Sequence, residues 1–180
     1  MAEFEKYIDK LLLLEGGFAK LKNDKGGATK YGVTLQTWKE FGYDKDGDGD
    51  IDEEDIKKLT PEEAKMIAKK VFWDYFKADQ IQNQSIAEFI ADWGYNSGRT
   101  TIARKVQTLM GLKADGIFGT ITLGKINSSN QETLFNLLKQ SRLDFVKKIV
   151  EHEPTQSVFY KGWVNRIQKF FFKEGDKLQS

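Results

Sequence analysis

Only two prolines interrupt 180 residues, and both stand where a helix should start or stop, so almost the whole chain is free to be helical. Thr60-Pro61-Glu62-Glu63 reads as a helix start, with Thr60 as N-cap, Pro61 at the first position and Glu63 closing a capping box. The spacing of Phe4, Ile8, Leu11 and Leu12 predicts a helix over 3–15, ended by Gly16-Gly17. The same reasoning predicts helices from Thr34 to about Phe41, Pro61 to about Tyr75, Ser85 to about Tyr95, Thr100 to Met110, Gln131 to about Glu151 and Lys161 to Lys173. Asp115-Gly116 and Gly119-Thr120 read as turns, and short extended pieces are expected near Tyr31 to Thr34. The expected class is mainly α.

Composition narrows the chemistry. There is no cysteine, hence no disulfide framework, thiol nucleophile or thiolate metal site. His152 is the single histidine, so a zinc site built on two or three imidazoles cannot form. Acid–base catalysis in this chain would run on carboxylates. Lys and Arg number 28 against 27 Asp and Glu, a balance that argues against a nucleic-acid binder. Hydrophobic residues make up 39% of the chain, enough for a core. Met1 to Lys6 lacks a basic n-region, and the apolar run Leu11 to Leu14 is too short for an export signal or a membrane span. The expectation is a monomer without stable membrane insertion, cytoplasmic until a holin-like pore or another non-classical route releases it.

Glu15 lies four residues after Leu11 and seven after Ile8, on the face of the apolar stripe. A carboxyl at the edge of a core loses hydration, and the negative end of a helix dipole further disfavours its ionised form. A carboxylic acid kept protonated in this way is suited to protonating a leaving glycosidic oxygen. Gly16 and Gly17 leave room for a polymer to approach. The bland reading is an exposed helix-end glutamate with no function.

Asp44 to Asp55 fits a calcium loop. Asp44, Asp46 and Asp48 occupy positions 1, 3 and 5, Gly49 takes the sharp turn at 6, Asp50 offers its carbonyl at 7, and Asp55 stands at 12. Asp55 is shorter than the usual bidentate glutamate and reaches less well. Six aspartates this close repel one another without a cation, which favours a structural Ca²⁺ over a merely solvated acidic loop.

Glu15-Gly16-Gly17-Phe18, then Asn23-Asp24-Lys25-Gly26-Gly27-Ala28-Thr29-Lys30-Tyr31-Gly32-Val33-Thr34, resembles the phage and prophage N-acetylmuramidases of glycoside hydrolase family 108. The resemblance continues through Phe72-Trp73 and Asp92-Trp93-Gly94-Tyr95-Asn96-Ser97-Gly98. It then meets that family's peptidoglycan-binding segment at Val106-Gln107, Asp115-Gly116-Ile117-Phe118-Gly119, Thr122-Leu123, Arg142, Phe159, Gly162-Trp163 and Arg166. The motifs fall in the family's order over nearly the whole chain. Phe18 stands where the family also places tyrosine, which removes one hydroxyl.

The resemblance implies a lysozyme-like helical fold with an EF-hand-like acidic insertion, and peptidoglycan as substrate. It implies hydrolysis of the β-1,4 bond after N-acetylmuramic acid, with Glu15 as catalytic acid. Relatives labelled secretion activators fit the same chemistry if they act by loosening the wall. Residues 1–95 are expected to form the catalytic region and 96–180 a helical peptidoglycan-binding region packed with it as one compact unit. Asp24 is the first candidate for a second catalytic group that positions or activates water, and Asp92 the second, with a structural role favoured for Asp92. Thr29, Tyr31 and Asn96 are candidate contacts to acetamido sugars, each with a backbone-satisfying role as the alternative. Trp93 is a candidate stacking surface, although aromatics at such spacing are commonly core. The competing function is a non-catalytic, calcium-dependent wall-binding or secretion-accessory protein. A peptidoglycan amidase or endopeptidase is disfavoured by the missing cysteine and the lone histidine.

Overall fold

A computed structural model describes residues 1–14, 22–24 and 27–175, with the backbone alone for 12–14, 22–24 and 27–29. The described residues form a mainly α structure of the lysozyme-like helical class. They divide into two compact units, Glu5–Val71 and Met1–Phe4 with Phe72–Ser180. No helix among the described residues is long and apolar enough to cross a membrane.

The first unit opens on α1, Phe4–Leu14. Its residues Tyr7, Ile8 and Leu11 are buried, as the apolar spacing requires. Three short antiparallel strands follow: β1 (Lys22–Asp24), β2 (Gly27–Lys30) and β3 (Val33–Thr34). Extended backbone is expected near Tyr31 to Thr34, which takes in β3 but neither β1 nor β2; between β2 and β3 stand Tyr31 and Gly32. Both have positive φ, 53° and 78°, which suits a two-residue hairpin turn of the primed type. Strands this short carry too little alternation to be seen in a sequence pattern.

Helix α2, Leu35–Phe41, is capped by the Thr34 hydroxyl, which accepts the Thr37 N–H at 3.1 Å. At its end Gly42 lies against the buried Trp38 ring, where a Cβ would come within 2.2 Å of ring carbon. The short α3, Glu53–Lys57, closes the acidic loop. Helix α4, Pro61–Ala68, begins with the expected capping box between Thr60 and Glu63. It was expected to run to about Tyr75, but the backbone widens into a π turn over Lys69–Trp73.

In the second unit, α5 (Gln84–Ser97), α6 (Arg99–Leu109) and α8 (Gln131–His152) match their expected extents within a residue or two. Gly98, at φ 85°, turns the chain between α5 and α6. Helix α7, Thr120–Ser128, was not anticipated. Gly119-Thr120 reads locally as a turn, and only tertiary burial of Thr122, Leu123 and Ile126 reveals an inward face. The last helix, α9, covers Ser157–Gln168 rather than Lys161 to Lys173. It starts directly after the 3₁₀ turn Pro154–Gln156, so Pro154 marks its beginning. The core of this unit is aromatic: Phe89 packs edge-on against Trp93, Phe135 and Phe170 at 5.4–6.3 Å between ring centroids.

Candidate functional site

Glu15 follows directly on the last residue of α1 and lies outside the described residues. Among the described residues of the glycine-rich segment after it, Asp24 pairs with Gly27, while Thr29 pairs with Lys22 on one side and Thr34 on the other. Asp24 and Thr29 therefore belong to one small sheet, Asp24 at the end of its first strand and Thr29 in its central strand. Tyr31 sits half-buried at the second turn, in a left-handed conformation unusual for a bulky residue, with the Lys30 ammonium 5.1 Å from its ring centre. Backbone outliers of this sort collect where ligands bind.

The acidic loop is held by its own amides. Asp44 accepts N–H groups from Asp46, Gly47 and Gly49 at 2.7–3.1 Å, and these bonds hold its carboxyl below the usual range. Gly49, at φ 100°, makes the sharp turn expected at the sixth position. Carboxylate oxygens of Asp44, Asp46 and Asp48 lie within 4.8 Å of one another, a donor set that suits a hard cation. Asp50 is not in that cluster, and the charge of Asp48 pushes its carboxyl up. Asp55 departs from expectation: it is fully buried, with one oxygen on the Lys45 N–H at 2.6 Å and the other on the Asp52 N–H at 2.8 Å. It fastens the loop to α3 as a cap, because its short side chain is already satisfied there. Lys58 also bonds Asp46 at 2.9 Å and would compete with a metal.

A second clamp ties the loop to α4. Glu63 accepts hydrogen bonds from the Tyr43 hydroxyl and the Lys45 ammonium, both at 2.6 Å, and from Thr60 N–H at 2.8 Å. Burial alone would raise its carboxyl, but the Lys45, Tyr43 and Thr60 bonds together hold it down to about 2. A folded value below the ordinary 4.5 gives stability that is present above pH 4.5 and lost as the pH falls toward 2. At ~1.4 kcal/mol per pH unit the clamp contributes at most about 3 kcal/mol, less where water screens it. Glu63→Gln is therefore expected to destabilise the first unit at pH 7 by about 1–3 kcal/mol and to flatten its acid unfolding curve between pH 4.5 and 2; urea titrations at several pH values measure both.

In the second unit, α5 presents Asp92 to two arginines. Arg166 meets it through Nε and Nη2 at 2.7–3.2 Å, and Arg142 through Nη2 at 2.9 Å. Asp92 is fully buried; desolvation alone would raise its carboxyl, but the two guanidiniums hold it below the ordinary range. A carboxylate so enclosed neither reaches water nor has the basicity to activate it, which removes Asp92 as a candidate second catalytic group. Trp93 is likewise corrected to a core residue. It is fully buried, packed at 6.3 Å from Phe89 and 6.0 Å from Phe145, and offers no face to a sugar. Gly94 faces Phe76, where a Cβ would come within 2.4 Å of the ring. Most of the Asp92 to Gly98 motif is thus architecture. Asn96 alone among its polar residues is exposed, with Nδ2 donating to the Asp92 carbonyl at 2.7 Å.

The motif after it is a knot around buried Gln107. Its Nε2 donates to Asp115 at 2.8 Å and the Ile117 carbonyl at 2.9 Å, while its Oε1 accepts the Gly116 N–H at 2.9 Å. Arg142 was quoted without a role in the sequence. It stands at four-residue steps between the buried Leu138 and Val146, and a charge inside an apolar stripe is a signal that a buried partner exists. Arg142, Val146 and Ile149 from α8, Trp163, Arg166 and Ile167 from α9, and Asn96 and Ser97 from α5 enclose a pocket of about 100 Å³.

Comparison with known proteins defines the class. The family model described as Glycosyl hydrolase 108 matches residues 8–98, from Ile8 within α1 through Glu15 and the strands β1 to β3 to the end of the Asp92 motif. The model described as a predicted peptidoglycan domain matches residues 102–168, from α6 to the end of α9. Together with the helical fold they define a peptidoglycan hydrolase. The chain belongs to the glycosyl hydrolase 108 family. Among solved structures it is similar to SagA of Brucella abortus, at 26% identity and a TM-score of 0.75, over 93% of this chain and 90% of that one. No curated protein compared with it matches at a significant level.

Proposed function

We propose that this chain is an N-acetylmuramidase that cleaves the β-1,4 bond between N-acetylmuramic acid and N-acetylglucosamine, with Glu15 as general acid. The family match across residues 8–98 carries this reading, because it spans Glu15, the residue next in sequence after α1, and the strands β1 to β3. Asp24 is the second group, acting on water or on the sugar cation from the end of β1. The exclusion of Asp92 by burial leaves Asp24 as the remaining candidate. Thr29, Tyr31 and Asn96 contact the acetamido sugars.

The test is chemical. Digestion of purified peptidoglycan is expected to release reducing sugar ends and no new amino groups, and mass analysis should find fragments ending in N-acetylmuramic acid. New amino groups without reducing ends would refute a glycosidase. Fragments ending in N-acetylglucosamine would keep the glycosidase and refute the bond specificity.

Calcium at Asp44, Asp46 and Asp48, with the Asp50 carbonyl, is part of the same reading. Its role is structural, since the loop is already closed by Asp55 and the Glu63 clamp. At a free Ca²⁺ level a hundredfold above its dissociation constant, the ion adds about 2.7 kcal/mol to the stability of the folded state. Melting in Ca²⁺ against EDTA should show that gain, and Asp44→Asn with Asp48→Asn should abolish it. Identical melts for the wild type in both buffers would remove calcium from the account.

A further inference from the structure

The pocket among α5, α8 and α9 is absorbed neither by the catalytic constellation nor by the core. Its volume of about 100 Å³ is that of roughly three waters of liquid, too small for a sugar ring and adequate for a group of a few heavy atoms. Its lining is of two kinds. Val146, Ile149 and Ile167 are aliphatic, with Val146 and Ile167 almost wholly buried. Asn96 and Ser97 bring an amide and a hydroxyl from the end of α5, and Arg166 brings a guanidinium fixed in orientation by its two-nitrogen grip on Asp92. Trp163 is half-exposed and stacks on the exposed Phe159 at 6.1 Å, with planes 29° apart, so an aromatic strip runs from the pocket outward.

We infer that this pocket is a peptidoglycan subsite that takes one acetamido group of the glycan, while Trp163 carries the attached sugar ring. The inference rests on the peptidoglycan reading above. An acetamido group joins a methyl to a planar amide, and the pocket joins an aliphatic floor to amide and guanidinium walls. The methyl fills the space beside Val146 and Ile167. The ligand N–H donates to Asn96 Oδ1, and its carbonyl accepts from the wall that α9 provides. A pyranose face on an indole adds apolar burial at the rim. The ligand acetamido group therefore meets groups drawn from both sides of the 96/102 junction, since Asn96 and Ser97 lie in the stretch matched as hydrolase and the α8 and α9 residues in that matched as peptidoglycan domain.

The test uses the full chain and the trimer of N-acetylglucosamine, titrated by tryptophan fluorescence and calorimetry, beside the trimer of glucosamine that lacks acetyl groups. The N-acetylated trimer is expected to bind at least tenfold tighter. Val146→Phe, which fills the pocket, and Trp163→Ala, which removes the platform, are each expected to cut that affinity at least tenfold. Circular dichroism checks that each variant folds, and the two act by different routes, so misfolding of one leaves the other decisive. Equal affinity for both trimers overturns the inference, as does acetyl-dependent binding that neither folded variant changes. Binding of a sugar-free stem peptide that is lost in Val146→Phe, with no response to the acetylated trimer, would assign the pocket to peptide instead. Reducing ends are measured separately. If they appear while pocket binding fails, the subsite is wrong and the hydrolase stands; if they are absent while acetyl-dependent binding persists, the hydrolase fails and the subsite stands.

Discussion

Glu15→Gln is expected to lower the release of reducing ends from peptidoglycan by at least a hundredfold, while leaving the fold and wall binding intact. Gln keeps the size and hydrogen-bonding shape of Glu but has no proton to give, and a positioned general acid contributes typically about 10²–10⁴-fold. The leaving sugar oxygen is a poor leaving group unless protonated, so the loss falls on the chemical step. The pH profile carries a second signature. A general acid donates below its own titration point and is spent above it, so activity should fall as the pH rises through that point. Asp24→Asn tests the partner group and should remove the acidic limb of the same profile. Binding measured by pelleting with insoluble wall separates a silenced enzyme from an unfolded chain. Activity of Glu15→Gln within about threefold of wild type would end the assignment of Glu15.

Asp92→Ala is expected to destabilise the second unit by about 3–5 kcal/mol, since it strands two guanidiniums that now neutralise a fully buried carboxylate. The loss arises from uncompensated charge rather than from the pair being intrinsically strong. Replacing the group as a whole with apolar residues of similar size, Asp92→Leu with Arg142→Met, should recover much of it, while Arg166 turns toward solvent. Arg142→Met alone should cost less than Asp92→Ala, because Arg166 still answers the carboxylate. Urea unfolding followed by far-ultraviolet and tryptophan signals measures all three. A single Asp92→Ala change worth under 1 kcal/mol would show that the carboxylate is dispensable to the core. The same series tests its removal from catalysis: Asp92 variants should lose activity only in step with lost folded protein.

Periodicity made the helices of the second half legible, because α5, α6 and α8 carry long apolar faces that a 3.6-residue repeat exposes. The Thr60 to Glu63 cap was legible for a different reason, being a local hydrogen-bond device complete within four residues. Helix α7 was not, since its two inward aliphatic residues are outnumbered by glycine, threonine and serine that also make turns. The π turn at Lys69–Trp73 and the strands β1 and β2 were hidden because each is decided by what packs beside it.

At the sites the division is sharper. The Glu15 motif, the glycine-rich run after it and the aspartate spacing of the acidic loop were legible in sequence alone, because type and interval are what such motifs consist of. Residue type left open whether a named side chain meets solvent. Trp93 and Asp92 sit in one motif with Asn96, yet packing buries the first two and exposes the third. Only the tertiary structure carries Arg142 and Arg166 across 50 and 74 positions of chain to Asp92 and opens a pocket above the pair. The physical reason is that helical periodicity specifies which face turns inward, whereas the partner that face meets depends on how separate helices pack.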